Sequence, residues 1–293
     1  MSRRVLVTGA AGKTGRAVTA AAARAGLGVR ALLRPGSSAP EWDAAEVEVA
    51  EGDLDTGAGL VTAMSGCQAV YLIAPNVHPD EPGIVLRALE AAREAGVGRV
   101  VYHSVLHPYA PDMPHHLAKA VGEDIVRRSG LAWTVLQPCA YTQNLVSGQR
   151  PSEFVVPYAA SSRFSFVDLN DVADVAARVL IDEAHIGASY EVCGPVAASV
   201  SEVADLAGLA VREIDVETWQ SGLGAQLSPY ARKALAAMFT YYDRYGLVGN
   251  GHHAEWLLGR APRSVAEVIC TAWPTVLPGR DHQVRDESHD GVG

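Results

Sequence analysis

Val5-Leu-Val-Thr-Gly-Ala-Ala-Gly-Lys-Thr-Gly15 is the stretch of sequence that decides the fold. Its apolar and β-branched start predicts a strand that ends at Thr8. The alanine-rich segment that follows Lys13 predicts a helix. A glycine turn between a first strand and a first helix is typical of a dinucleotide-binding βα unit.

The three glycines of this turn have separate roles in such a unit. Gly9 permits a tight turn, Gly12 lets the backbone approach a pyrophosphate, and Gly15 lets the helix pack against the strand. The helix N-terminus adds free N–H groups and a partial positive charge. We therefore expect the cofactor phosphates to lie against Gly9, Ala11, Gly12, Lys13, Thr14 and Gly15.

The spacing of the turn separates it from two other glycine motifs. Gly-x-x-Gly-x-x-Gly differs from the Gly-x-Gly-x-x-Gly of ordinary dehydrogenases. Lys13-Thr14 resembles the end of a nucleotide-hydrolysing P-loop, but the glycine spacing that this motif requires is absent. A dinucleotide site is thus favoured over a P-loop.

Strand and helix patterns alternate through the first half of the chain. The predicted strands are Arg4–Thr8, Val29–Leu33, Val47–Ala50, Ala69–Ala74, Val100–Val105 and Ala132–Leu136. The predicted helices between them are Thr14–Ala25, Gly83–Ala95 and His116–Arg128. This alternation predicts an α/β fold, a doubly wound parallel-sheet Rossmann fold.

The second half is less regular and predicts a small C-terminal α/β substrate lobe. Its predicted strands are Ser165–Val167, Tyr190–Cys193 and Val211–Val216, and its predicted helices are Asn170–Ile181, Ser199–Ala207, Pro229–Asp243 and Ser264–Thr271. We expect one or two of these strands to join the sheet. The predicted division is a Rossmann domain over 1–145, to which 164–195 returns, a lobe over 146–163 and 196–277, and a disordered tail over 278–293.

Composition excludes several classes of protein. The 293 residues are 48% hydrophobic and carry a formal charge of −9, from 24 basic and 33 acidic residues. An acidic chain without a basic run is a poor nucleic-acid ligand, and no run of about 18 apolar residues predicts a membrane span. The four scattered cysteines fit neither a disulfide framework nor a zinc site. We expect a cytoplasmic protein without metal, monomeric or homodimeric, that binds a small-molecule substrate.

The end of the second strand predicts the choice of dinucleotide. An acidic residue there would bind the ribose 2′-hydroxyl of NAD, whereas Arg34 suits a 2′-phosphate, so NADP(H) is favoured over NAD(H). Ser37 or Ser38 would add a hydroxyl. Further cofactor contacts are expected from Asp53 and Leu54 at the adenine edge, from Ala74 and Pro75 beside the nicotinamide ribose, and from Pro138.

Several motifs in order resemble the NmrA-like family of atypical short-chain dehydrogenases/reductases. They begin with the glycine turn and Leu33-Arg34, and continue with Gly52-Asp-Leu54, Arg99-Val-Val-Tyr-His-Ser104, Lys119-x-x-x-Glu123, Ser129–Pro138, Asn144-Leu145, Phe166–Ala173 and Leu258–Arg263. The resemblance covers about Arg3 to Trp273. It implies a Rossmann fold with a small C-terminal lobe and a bound NAD(P). Members of the family include reductases of quinones and of benzylic ethers, and also regulators without known turnover.

The resemblance also points to catalytic residues. The wider superfamily uses a Ser and a Tyr-x-x-x-Lys pair, and here Ser104 and Lys119 take the serine and lysine positions while His115 stands where tyrosine is expected. Residues four apart share a helix face. We hypothesise that Lys119 binds the nicotinamide ribose, that His115 exchanges the substrate proton, and that Ser104 orients the substrate oxygen.

Substrate contacts are expected around the ends of the fifth and sixth strands. His107 lies in the loop after the fifth strand, and Tyr141 and Asn144 follow the sixth. An aromatic cluster of Trp219, Phe239, Tyr241, Tyr242, Tyr245 and Trp256 predicts mainly lobe core, with a subset on a pocket wall. A zinc or copper site at His103, His107, Asp112, His115 and His116 is disfavoured because the cofactor needs the same space.

These patterns leave three functions open. The leading one is an NADPH-dependent oxidoreductase that transfers hydride to a small aromatic or quinonoid carbonyl compound. The second is an NAD(P)-binding redox sensor without turnover, which the missing tyrosine keeps open. The third is an isomerase, cyclase or dehydratase in the same cleft.

Overall fold

The fold was analysed in a computed structural model that describes residues 3–42, 47–146 and 148–274. The predicted tail over 278–293 lies outside the described residues. The division into a Rossmann domain and a lobe stays a prediction, although the strand order separates a large sheet from two small ones.

A parallel seven-stranded sheet forms the centre of the molecule, in the order β3-β2-β1-β4-β5-β6-β9. Its strands are β1 (Arg4–Val7), β2 (Gly28–Leu33), β3 (Val47–Glu51), β4 (Ala69–Leu72), β5 (Arg99–His103), β6 (Ala132–Pro138) and β9 (Ala188–Val192). The order reverses between β1 and β4, which is where doubly wound sheets bind ligands. The predicted Rossmann fold is confirmed.

Helices cover both faces of this sheet. They are α1 (Lys13–Arg24), α2 (Leu60–Met64), α3 (Glu81–Glu94), α4 (Pro114–Arg127) and α6 (Leu169–Ile181). Alternate strand residues point to opposite faces. Val5 and Val7 pack with α1 and α6, whereas Leu6 packs with α2, α3 and α4.

In the described ranges, the remaining strands and α-helices lie outside the main sheet, as two short strand pairs and six helices. They are β7 (Glu153–Val156) with β11 (Ala210–Glu213), β8 (Arg163–Phe164) with β10 (Ala198–Ser199), and the helices α5 (Gln143–Val146), α7 (Val200–Ala207), α8 (Val216–Ser221), α9 (Pro229–Tyr245), α10 (His252–Leu258) and α11 (Val265–Ala272). Ser199 begins α7 with a reciprocal capping box to Glu202, as the sequence predicts.

Two predicted strands of this half need correction. Ser165–Val167 is not a strand: the Ser165 N–H donates to Leu247 O and the Val167 N–H to Ala140 O, so the segment pairs with two separate loops. The predicted strand Val211–Val216 ends at Glu213 because the Asp215 side chain caps α8.

Buried ion pairs fix the segment after α10 to α6. Asp171 is fully buried, and its carboxylate accepts from Arg260 at 2.7 Å and from Arg263 at 2.6 Å. Arg263 also contacts Asp168, the N-cap of α6. This joins two of the motifs that carry the family resemblance.

Candidate active site

Backbone geometry explains the glycines of the turn between β1 and α1. Gly9 has a φ of +59°, and its carbonyl accepts from the Gly12 N–H at 2.9 Å. A Cβ on Gly15 would lie 2.1 Å from that same carbonyl oxygen. A side chain at position 15 therefore cannot fit without moving the backbone of the turn.

The N-terminus of α1 is open to an anion. Gly12 provides no side-chain cap, and the first turn of α1 contains no acidic residue. The first N–H groups of a helix lack partners within it and carry partial positive charge. The residues present therefore fit a dinucleotide, whose diphosphate would be held by the turn and this helix end.

One cavity of about 850 Å³ begins at this turn and brings together all the predicted site residues except His107. These residues are Gly9, Ala11, Gly12, Lys13, Thr14, Gly15, Arg34, Ser37, Asp53, Leu54, Ala74, Pro75, Ser104, His115, Lys119, Pro138, Tyr141 and Asn144. Proximity places them at one site, while their individual roles stay predictions.

His107 does not line the cavity, contrary to the prediction of a substrate contact. Its φ is +54°, a left-handed conformation that is uncommon for residues other than glycine. Its carbonyl lies 3.2 Å from the Nδ1 atom of His116. The residue therefore shapes the loop before α4 rather than the pocket.

Arg34 lies at the end of the cavity beside β2. Its side chain is exposed and forms no hydrogen bond or ion pair with any described residue. Ser37 is exposed beside it, and its backbone N–H donates to Arg34 O. A cation that no described residue pairs with is available for an anionic ligand.

Lys119 occupies the middle of the cavity on α4. Its Nζ atom donates to Glu81 Oε1 at 2.6 Å and to the His103 carbonyl at 3.1 Å. Glu81 is fully buried, and its Oε1 atom also accepts from the Tyr102 hydroxyl at 2.8 Å. An ammonium group has three N–H bonds, so one remains for a ligand.

Glu81 is a site residue that the sequence analysis missed. An acidic residue in the first turn of a helix is common because it interacts favourably with the helix dipole, so its presence there does not indicate a functional site. Glu81 is the first residue of α3, and Lys119 lies on α4, 38 positions later in the chain. No local spacing connects them, and only the packing of α3 against α4 brings them together.

His115 faces this ion pair from one helical turn before Lys119. Its Nδ1 atom is buried without a hydrogen-bond partner, 3.8 Å from Glu81 Oε2, which is also unpartnered. Burial, and then the charge of Lys119, lower the pKa of His115 to about 4. The ring is therefore neutral at pH 7, where it can take part in hydrogen bonds but holds an extra proton poorly, which corrects the expectation of a ring that titrates near neutral pH.

Ser104 lines the cavity and is hydrogen-bonded to a buried carboxylate. Its hydroxyl donates to Glu123 Oε1 at 2.6 Å, and Glu123 is fully buried. The same carboxylate accepts from Gln137 and Arg127. The hydroxyl proton of Ser104 is thus donated within the protein, and the role of this residue in orienting the substrate oxygen stays a prediction.

Two side chains from the segment after β6 contact the phosphate turn. The Lys13 ammonium donates to Asn144 Oδ1 at 2.7 Å, and Thr14 Oγ1 lies 3.3 Å from the Tyr141 hydroxyl. Tyr141 is in turn 2.8 Å from His103 Nε2. The segment after β6 therefore borders the phosphate turn as well as the pocket.

The far end of the cavity is apolar. Three members of the predicted aromatic cluster, Trp219, Phe239 and Tyr242, line it together with Tyr158, Leu235 and Met238. Tyr241, Tyr245 and Trp256 lie elsewhere. This end provides a hydrophobic, aromatic surface next to the Lys119 centre.

Two further predictions concern metal sites and membrane spans. In the described ranges, no group of three or more histidine, cysteine or acidic side chains has a geometry for a metal ion. Within those same ranges, no helix has both the length and the apolar character of a membrane span.

Fold and site together define a protein of the nucleotide-binding Rossmann class. A family model described as NAD(P)H-binding matches residues 9–183. The NAD(P)H azoreductase of Xenophilus azovorans is 33% identical over 276 residues, which cover 90% of this chain and 96% of that protein. The chain therefore belongs to the NAD(P)H-binding family, and the resemblance to atypical short-chain dehydrogenases/reductases is confirmed.

Solved structures share the same fold. The NADPH-dependent quinone oxidoreductase of Escherichia coli, complexed with NADPH, has a TM-score of 0.77 at 22% identity, and the match covers 91% of this chain and 99% of that one. The Citrobacter sp. triphenylmethane reductase, complexed with NADP(H), has a TM-score of 0.76 at 22% identity, over 93% and 100% of the two chains.

Proposed function

We propose that this chain is an oxidoreductase that reduces small, neutral aromatic or quinonoid compounds and prefers NADPH to NADH. The observation that carries the proposal is the single cavity that joins the phosphate turn, the Lys119 centre and the aromatic end. Relatives named as an azoreductase, a quinone oxidoreductase and a triphenylmethane reductase support it.

The charges of the cavity favour a neutral substrate. Lys119 is paired with Glu81, so the centre has no net charge beside the aromatic end. The other lysine and arginine side chains that line the cavity, Lys13 and Arg34, lie toward the phosphate and adenosine ends. An anionic substrate at the aromatic end would lose water without gaining a free cation.

The side chains of the Lys119 centre have separate roles in binding the cofactor and the substrate. When bound, the dinucleotide supplies a hydride from its nicotinamide ring. The third N–H of Lys119 binds a ribose hydroxyl, while Glu81 and the His103 carbonyl fix the direction of the ammonium group. His115, neutral at pH 7, offers a hydrogen bond to the substrate without adding charge.

Titration with NADPH and NADH, followed by fluorescence, tests the cofactor half of the proposal. A panel of quinones, azo dyes and aldehydes, with nicotinamide absorbance as the readout, tests the reaction. Lys119→Met should remove most turnover, whereas Lys233→Met, a change of an exposed lysine, should not.

The outcomes separate the three functions. Oxidation of NADPH by a quinone or an azo dye supports the reductase. Tight dinucleotide binding without oxidation across the panel favours the redox sensor. Conversion of a substrate with no net change in nicotinamide absorbance favours the non-redox enzyme.

A further inference from the structure

Glu123 is a fully buried carboxylate on α4 that accepts four hydrogen bonds. Its Oε1 atom accepts from Ser104 Oγ at 2.6 Å and from Gln137 Nε2 at 2.7 Å. Its Oε2 atom accepts from Arg127 Nη2 at 2.8 Å and from the Tyr109 hydroxyl at 3.3 Å. A carboxylate has about four lone-pair sites, so this buried anion is fully hydrogen-bonded.

Charge fixes the direction of the bond between Ser104 and Glu123. Arg127 forms an ion pair with Glu123, so the carboxyl group is ionised and can only accept. The proton of this 2.6 Å bond therefore belongs to Ser104. A bond to a charged acceptor is stronger than a bond to a neutral one, so a neutral ligand does not draw this proton away from Glu123.

The oxygen of Ser104 keeps its own lone pairs. A hydroxyl oxygen has two acceptor sites, and no described residue donates to this one. Ser104 lines the cavity, and its backbone N–H donates to Leu136 O at 2.8 Å, which holds the residue in place. Ser104 therefore offers a ligand a fixed hydrogen-bond acceptor and no proton.

We propose that Glu123 is a positioning residue that makes Ser104 a hydrogen-bond acceptor, and that the cavity thereby selects aromatic ligands that carry a neutral O–H or N–H group. The inference rests on the proposed function and deepens it, because it names the substrate class. A bare quinone carbonyl has no proton to give Ser104, whereas a hydroxyquinone does. The carboxamide N–H₂ of the nicotinamide ring has the same chemistry, so the experiment includes it as a second source.

A pair of aromatic probes of nearly equal shape tests the acceptor. Indole has an N–H group, and benzofuran has an oxygen without a proton in its place. The dissociation constants of both are measured by NMR titration at pH 7 with NADP⁺ bound. The wild-type protein should bind indole about fivefold more tightly, which is the effect of one hydrogen bond. Ser104→Ala should bind the two probes equally.

Glu123→Gln tests whether the carboxylate sets the direction of the Ser104 proton. The glutamine oxygen stays with the Arg127 donor, so its N–H₂ group faces Ser104 and donates to Oγ, while Gln137 turns its amide oxygen toward the same group. The Ser104 proton is then free to point into the cavity. The preference for indole should disappear or reverse, a change of sign that a purely structural role of Glu123 would not produce. An unchanged preference would contradict the role of Glu123.

Ser165→Ala is the matched control for Ser104→Ala. Ser165 is buried, and its hydroxyl also donates within the protein, to the Gly249 carbonyl at 3.2 Å, but the residue does not line the cavity. The fivefold preference for indole should be unchanged in this variant. If Glu123→Gln does not fold, the comparison of Ser104→Ala with Ser165→Ala still decides whether Ser104 is the acceptor.

The second source is tested with NADP⁺ and its 3-acetylpyridine analogue, in which a methyl group replaces the carboxamide N–H₂. If the carboxamide is the partner of Ser104, the wild-type protein binds NADP⁺ about fivefold more tightly than the analogue and binds the two probes equally, and Ser104→Ala removes the difference between the dinucleotides. No effect of Ser104→Ala on either pair would overturn the inference. Absence of dinucleotide binding by the wild-type protein would instead contradict the proposed function.

Discussion

The phosphate turn and the Lys119 centre share one cavity but are built in opposite ways. The turn consists of seven consecutive residues, Gly9 to Gly15, and offers backbone N–H groups at a helix end to a ligand. The centre consists of the side chains of Glu81, His115 and Lys119, which come from two helices and are 0%, 8% and 6% exposed.

This difference determines what each region tolerates. The turn depends on the absence of side chains, so one added carbon disrupts it while a change of charge nearby does not. The centre depends on a balance of charge in a buried place, where an unpaired ion is costly. The two regions should therefore fail under different substitutions.

Gly15→Ala should give the largest effect. The new Cβ would meet the Gly9 carbonyl at 2.1 Å, and backbone cannot move aside as a flexible side chain can. We expect loss of measurable NADPH binding and a lower Tm, despite the higher helix propensity of alanine. Gly98→Ala is the control, since nothing lies within 4 Å of its Cβ. Normal NADPH binding by Gly15→Ala would show that the backbone of the turn can adopt another conformation that accommodates a side chain.

Lys119→Met should give the next largest effect, on stability as well as on turnover. It leaves the Glu81 carboxylate buried without its cation, a change that costs about 3–5 kcal/mol in the free energy of unfolding. Lys119→Met with Glu81→Gln should recover much of that stability but no turnover. Urea unfolding measures the stability of both variants. If the double variant is as unstable as Lys119→Met, the unpaired Glu81 carboxylate is not the reason for the loss of stability.

The sequence was sufficient for the turn because its information is local. The spacing of Gly9, Gly12 and Gly15 and the alternation of strands and helices predict the sheet, the helix end and the position of the phosphates. Each of these depends on residues that are neighbours along the chain. The predicted strand and helix bounds accordingly differ from the structure mostly at their ends.

The centre was only partly predictable because its contacts cross the chain. Lys119 and His115 follow from the family resemblance, and their spacing puts them on one helix face, but the partner that fixes Lys119 is Glu81, on another helix. The hydroxyl of Ser104 is bound by Glu123, which the sequence presents only as a residue one turn after Lys119. His103 and Tyr71 are buried strand residues, and nothing in their local pattern indicates that they bond one another.

Acid should destabilise the wall of the centre while it leaves the backbone of the turn intact. His116 is fully buried, and burial lowers its pKa to about 4. The unfolded chain then binds more protons than the folded one between pH 6.5 and about 4. Stability is fully present above pH 6.5 and falls as the pH drops through that window. At pH 5 one such histidine costs about 2 kcal/mol.

His116→Gln should reduce this acid sensitivity, as measured by urea unfolding at pH 7 and pH 5. His252→Gln is the control, because the His252 side chain is 90% exposed. A loss between pH 7 and pH 5 that is the same in His116→Gln as in the wild-type protein would assign the acid sensitivity to other groups.

Arg34→Gln should give the smallest effect and the most selective one. Arg34 is an exposed side chain without an ion-pair partner among the described residues, so its loss should not affect the fold. We expect the NADPH dissociation constant to rise about tenfold, or about 1.4 kcal/mol, and that for NADH to stay unchanged. Arg128→Gln, at an exposed position directly after α4, should change neither. Equal weakening for both dinucleotides would mean that Arg34 supports the adenosine end as a whole and does not read the 2′-phosphate, so the preference for NADPH would need another source along the cavity.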